Sequence, residues 1–223
     1  MKFWHQITGI VRKDFTSEIR TGESILSVLV FALLIIVIVN FAFSSDQETM
    51  KTVAPGILWV TFTFAGVLSL NRAFVMEKEG GCIEGLLASP ISREAIYIGK
   101  MFGSLIFMLI VEIVALSAFT LLFNLSVLSP EVVITTFLAT VGFVAMGTTF
   151  AAMAVNTRAR EMVLPVLFLP MVSPIIISAV KASGLAISGE TWGSMTTWLG
   201  IIIAFDVIFI VASYLVFAFV VEE

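Results

Sequence analysis

From Ser24 to Ser44 the chain carries no charged side chain, and five further apolar runs of similar length follow it. They cover about Val53–Met76, Met101–Phe123, Val132–Val155, Met162–Val180 and Trp198–Val220. A helix needs about 20 such residues to cross the hydrocarbon core of a bilayer. In lipid only helices and closed barrels satisfy every backbone polar group, and runs without apolar–polar alternation read as helices. Composition agrees: 59% of residues are hydrophobic and 13% charged, against about 45–50% and about 25% in soluble domains. The expected fold is an all-α integral membrane protein, six transmembrane helices in one membrane domain over residues 1–223.

Residues 1–21 read differently. Phe3, Ile7, Val11, Phe15 and Ile19 recur at helical spacing, with Trp4 and Ile10 beside them and Arg12, Lys13, Glu18 and Arg20 among the polar positions. Such a segment has no continuous apolar core and no small-residue cleavage site, so it does not read as a signal peptide. It reads as an amphipathic helix lying along the membrane interface, anchored by Trp4 and its basic residues.

Charge placement sets the expected orientation. With both termini cytoplasmic, Lys2, Arg12, Lys13, Arg20, Arg72, Lys78, Arg93, Lys100, Arg158 and Arg160 lie inside, which is ten of the 12 basic residues. Only Lys51 and Lys181 fall outside, and basic residues collect on the cytoplasmic side.

The connector Glu77–Lys100 is the longest cytoplasmic loop in this reading. Glu77, Glu79 and Glu84 flank Gly80-Gly81. Ile83, Leu86 and Leu87 then share one face of a short helix that Ser89-Pro90 ends, and Ser92 can cap a second short helix with Glu94 in its first turn. An exposed Ile/Leu/Leu tip fits a partner's groove, or else packs on the chain's own helices.

Polar groups inside the apolar runs are Glu112 in the third and Asp206 in the sixth, with Asn40 and Asn71 in or near spans. A buried carboxyl there either serves passage and conformational coupling or makes an interhelical hydrogen bond. Asp206 reads as the second kind, and Glu112 is open between the two. The fourth run holds Ala139, Gly142, Ala145, Gly147, Ala151, Ala152 and Ala154, small residues that let helices approach closely, within the chain or at a dimer seam. Pro165, Pro170 and Pro174 make the fifth run the least regular, because each frees a carbonyl that needs another partner.

Chemistry on this chain alone is restricted. One cysteine, Cys82, and one histidine, His5, allow neither a disulfide framework nor a histidine-based haem or metal site within the membrane. No GxxxxGK[ST] phosphate loop, HExxH or GxSxG occurs. No catalytic, cofactor-binding or metal-binding residues are expected, and the chain does not read as an enzyme.

An interfacial N-terminal helix, six spans and a cytoplasmic knob between spans two and three resemble the membrane subunit of an ABC transporter of the ABC-2 class. Within that class, Asn71–Lys100 is similar to the signature region of the CcmB family, the cytochrome c maturation permeases labelled haem exporter protein B. The family pattern falls on Arg72, Phe74, Glu77, Glu79, Gly81, Glu84, Leu86, Leu87, Ser89, Pro90, Gly99 and Lys100, while Cys82 and Gly85 match no position of it. The resemblance implies a bacterial cytoplasmic-membrane location and pairing with an ATPase subunit like CcmA, which would bind the ATP. It places that interface on Glu77, Glu79, Gly81, Ile83, Glu84, Leu86, Leu87, Ser89 and Pro90. It also implies a haem-handling subunit like CcmC, a haem chaperone like CcmE and a second copy of this chain. Haem would then be handled by the complex, with ATP hydrolysis driving release of the loaded chaperone. An ABC-2 exporter of lipid, polysaccharide or drug, and a non-transporting membrane scaffold, are the competing readings.

Overall fold

The computed structural model describes residues 2–43, 47–79, 91–155 and 164–220, and among these every regular element is helical. Helix α1 spans Lys2–Thr21 and α2 spans Glu23–Phe43. Helix α3 spans Gln47–Glu79, α4 Arg93–Phe123 and α5 Pro130–Val155. A π-helical turn, Leu164–Phe168, runs directly into α6, Leu169–Ile187, and α7 spans Trp192–Val220. Six of these helices are long and apolar enough to cross a membrane: all but α1. The protein is a multi-pass membrane protein.

Local signals explain where the helices begin and end. Gly22 adopts φ +62 after α1, and its N–H donates to Glu18 O at 2.7 Å. A left-handed residue of this kind ends a helix without the Cβ clash that other residues meet. The Glu18 carboxylate then accepts the Ile25 N–H at 2.8 Å, placing negative charge at the first turn of α2. Ser92 caps α4 by accepting the Ala95 N–H at 3.3 Å, and Ser129 caps α5 by accepting the Val132 N–H at 3.4 Å, just before Pro130.

Helix α5 lies at the centre, packed by α3, α4, α6 and α7. Its small residues make this possible: Ala139, Ala145, Ala151 and Ala154 are almost fully buried. A Cβ added at Gly142 would collide with Asp206 and Ile175, and one at Gly147 with Leu70. The small-residue stripe is thus covered by the chain's own helices. The centre of α2 lies against α3 and α4 through Val28, Ala32 and Ile36, while Leu26, Val30, Leu34, Ile38 and Phe41 face outward, as a lipid-facing helix requires.

Of the three prolines of the fifth run, Pro174 is the one inside helix α6. Pro174 cannot donate to the carbonyl of Pro170, four residues earlier. Ser173 Oγ donates to that carbonyl instead, at 2.8 Å. A side-chain hydroxyl thereby keeps α6 continuous through Pro174.

Several boundaries move outward from the sequence reading. Helix α3 begins at Gln47, six residues before Val53, so the polar stretch 47–51 is helical. Helix α6 continues past Val180 to Ile187, through Lys181, and α7 starts at Trp192 and not Trp198. The main correction is at the third span. The short helix capped by Ser92 is not separate; it forms the first turns of α4, so Arg93–Lys100 belongs to the spanning helix and not to a connector. The connector's other end is helical too, since Glu77–Glu79 closes α3.

Candidate functional site

The region that the sequence singles out lies where α3 ends and α4 begins. Glu77 and Glu79 are in the last turns of the α3 backbone. Gly81, Ile83, Glu84, Leu86, Leu87, Ser89 and Pro90 lie outside the described residues, as does the charged stretch Thr157–Glu161 between the fourth and fifth apolar runs. What the structure does define is the footing of this segment.

That footing is α1 packed along the first half of α4. Ile10 is buried and presses on Gly99, where an added Cβ would come within 2.9 Å of the Ile10 side chain. One turn of α1 onward, Asp14 Oδ2 meets Lys100 Nζ at 2.8 Å. At the next residue of α1, the Phe15 ring stacks on that of Phe107, about two turns along α4 from Lys100, with centroids 6.1 Å apart. The Lys100 side chain is only 5% exposed. A lysine this deep is tolerated because a carboxylate meets it in a short charge-assisted bond. Lys100 thus carries no free interfacial charge; it ties α1 to α4. Gly99 and Lys100, both in the family pattern, are the two residues of α4 that receive Ile10 and Asp14.

Three further contacts brace the helices flanking the connector. Tyr97 is buried and donates to Ala145 O at 3.1 Å, its ring 5.2 Å from that of Phe217, so α4, α5 and α7 meet there. Trp59 Nε1 donates to Ser183 Oγ at 3.0 Å, joining α3 to α6. Phe143 fits against Gly66, joining α5 to α3.

The intramembrane polar residues do not converge on one another in a shared site. Glu112 is 1% exposed, and its Oε1 accepts from Thr140 Oγ1 at 2.6 Å. Asp206 is buried against Gly142 on another face of α5, two residues past Thr140. Asn40 Nδ2 donates to Leu122 O at 3.0 Å, linking α2 to α4, and Asn71 is half-buried on α3. Glu112 and Asn40 therefore act as interhelical hydrogen-bonding groups, and Asp206 fills the gap left by a glycine. Among the described residues no group of three or more His, Cys, Asp or Glu converges as a metal site would require. His5, on α1, is the one histidine of the sequence.

Sequence reasoning missed the Asp14–Lys100, Tyr97–Ala145 and Trp59–Ser183 pairs. Each joins residues far apart in the chain, which no local periodicity encodes. The one available signal was the ionic pattern, because Asp14 is one of only two carboxylates in residues 2–21.

Comparison with known proteins covers nearly the whole of this architecture. A family model described as "CcmB protein" matches residues 5–222. A protein named heme exporter protein B from Bradyrhizobium diazoefficiens is 29% identical over 184 residues, 82% of this chain and 83% of the relative. Its namesake from Rhodobacter capsulatus is 29% identical over 187 residues, 80% of this chain and 85% of the relative. A third, from Paracoccus denitrificans, is 28% identical over 175 residues, 78% and 80% of the two chains.

Proposed function

Since the chain belongs to the CcmB family, we propose that it is the membrane subunit of an ABC-type complex serving haem handling and cytochrome c maturation. The observation that carries this reading is the family match over residues 5–222, supported by three relatives named heme exporter protein B.

In the proposed cycle this chain hydrolyses nothing. ATP binds to a separate ATPase subunit, which docks on Glu77, Glu79, Gly81, Ile83, Glu84, Leu86, Leu87, Ser89 and Pro90. The docking segment is held between two long helices. Helix α3 has 33 residues and α4 has 31, about 50 Å and about 46 Å by helical rise, well beyond a hydrocarbon core of about 30 Å. Rigid helices of that length carry a displacement at the connector into the bundle. The α1–α4 contact through Asp14 and Lys100 makes the interfacial helix move with α4. Orientation follows from basic-residue placement: both termini and the connector face the cytoplasm of a bacterial cell.

Haem is the cargo of the complex, not a resident of this chain. Among the described residues, the buried polar groups of the bundle are hydroxyls, carboxyls, the Trp59 indole N–H and the ion-paired Lys100. Such a set suits force transmission to a haem-handling partner and release of a haem-loaded chaperone better than direct ligation of haem iron. A second copy of this chain completes a two-fold assembly by analogy with symmetric oligomers.

The test is assembly. Affinity-tagged wild-type chain should bring down an ATPase subunit from membranes, and Leu86→Asp should lose it while the variant chain still accumulates. Retention of the ATPase by Leu86→Asp would contradict the docking assignment.

A further inference from the structure

Helix α1 carries more than an anchoring stripe. Its apolar residues serve both the core and a groove, and Ile7 belongs to both. Ile7 and Ile10 are buried within the protein. Trp4, Ile7, Val11 and Phe15 line one wall of an open groove of about 510 Å³, with Phe102 and Ile106 of α4 on the other. Trp4 is 67% exposed along it. Arg12 stands in this groove and also in an adjoining concavity formed with Gly9, Lys13, Thr16, Ser17 and Arg20.

The charge around this shape is one-sided. Residues 2–21 hold two carboxylates, Asp14 and Glu18. Asp14 is drawn toward α4 by Lys100, with Lys13 Nζ 3.3 Å from its other oxygen. Glu18 is committed to the Ile25 N–H at the start of α2. Both acids are half-buried in these contacts, while Arg12, Lys13 and Arg20 are exposed. An apolar channel long enough for part of an acyl chain thus opens beside a basic rim, on a helix that adjoins a membrane span.

We infer that this groove binds an anionic phospholipid, its phosphate held by Arg12, Lys13 and Arg20 and one acyl chain lying between Trp4, Val11, Phe15, Phe102 and Ile106. The complementarity is twofold. A basic cluster beside a membrane helix recognises anionic headgroups, and an amphipathic helix buries apolar side chains at the acyl boundary. A zwitterionic lipid matches the groove but not the rim. The site also has a structural consequence: the lipid would seat on α1 and α4 together, across the Asp14–Lys100 pair.

The full chain in nanodiscs tests this through Trp4. Its emission is taken as the difference between wild type and Trp4→Phe, in phosphatidylcholine bilayers that contain the same mole fraction of dibrominated phosphatidylglycerol or dibrominated phosphatidylcholine. Dibrominated phosphatidylglycerol should quench this component at about fivefold lower mole fraction, the preference that a single basic contact supplies. In R12Q/K13Q/R20Q the two lipids should quench alike; R12Q alone, at an exposed position, shows a reduced preference and serves if the triple variant does not fold. Equal quenching by both lipids in wild type would mean that the groove holds ordinary boundary lipid or another helix, and would overturn the inference. So would a preference that survives in both variants.

Discussion

Lys100 Nζ lies 2.8 Å from Asp14 Oδ2, and the two side chains are only 5% and 13% exposed. This pair joins the interfacial helix α1 to the first turns of α4, seven residues after α4 begins at Arg93. In a membrane protein an ion pair at this depth has little water to fall back on, so loss of one partner is felt in full.

Asp14→Ala should therefore destabilise the protein by about 3 kcal/mol, since it takes from the buried Lys100 ammonium the carboxylate that meets it at 2.8 Å. Lys100→Met should cost less, because Asp14 is more exposed and keeps Lys13 nearby. The double variant should recover most of the loss. Thermal unfolding in one detergent, with the four proteins compared as a cycle, reads the coupling directly.

Gly142→Ala should lower stability by about 1–3 kcal/mol, the usual cost of forcing a methyl into a packed core. The added Cβ would collide with Asp206 Oδ1 and Ile175 Cδ1. Adding Asp206→Ala should relieve part of the loss. Gly56→Ala, where nothing lies within 4 Å, is the matched control and should be neutral or slightly stabilising. A Gly142→Ala protein as stable as wild type would rule out this packing.

Thr140→Val should cost about 1–3 kcal/mol, because it strands the buried Glu112 carboxyl that Thr140 serves at 2.6 Å. Glu112→Gln keeps an acceptor in the same place and should retain both the fold and the c-type cytochrome yield of complemented cells. Loss of that yield with the fold intact would show that Glu112 acts through its charge and not only as a hydrogen-bond acceptor.

Ser173→Ala should cost about 1 kcal/mol in the native background and almost nothing in a Pro174→Ala background. Restoring the N–H at position 174 gives the Pro170 carbonyl its ordinary helical partner, which makes the Ser173 hydroxyl redundant. Unfolding midpoints of the four combinations decide this, and additive effects would contradict it.

Much of the fold was legible because lipid imposes a simple length rule. The run from Ser24 to Ser44 became α2, Glu23–Phe43, almost residue for residue. The rule failed where charges sit within helices. Lys100 read as the last residue of a cytoplasmic connector, yet Asp14, 86 positions away, allows it to be buried inside α4. Lys181 looked like an outer-loop residue, yet it is exposed on α6, which continues past it to Ile187. The apolar stripe of α1 was visible as a periodicity, but its division between core and groove depends on where α4 passes. Glu112 and Asp206 were visible as anomalies in apolar runs. Their partners, Thr140 and Gly142, were not, because a threonine and a glycine look ordinary until the helices are assembled.

The most direct test of the account is the covalently bound haem of c-type cytochromes in cells that lack this chain. It should disappear on deletion, return with the wild-type chain, and not return with Leu86→Asp even though that variant accumulates in the membrane. Normal c-type cytochromes in the deleted cells would contradict the proposed function outright.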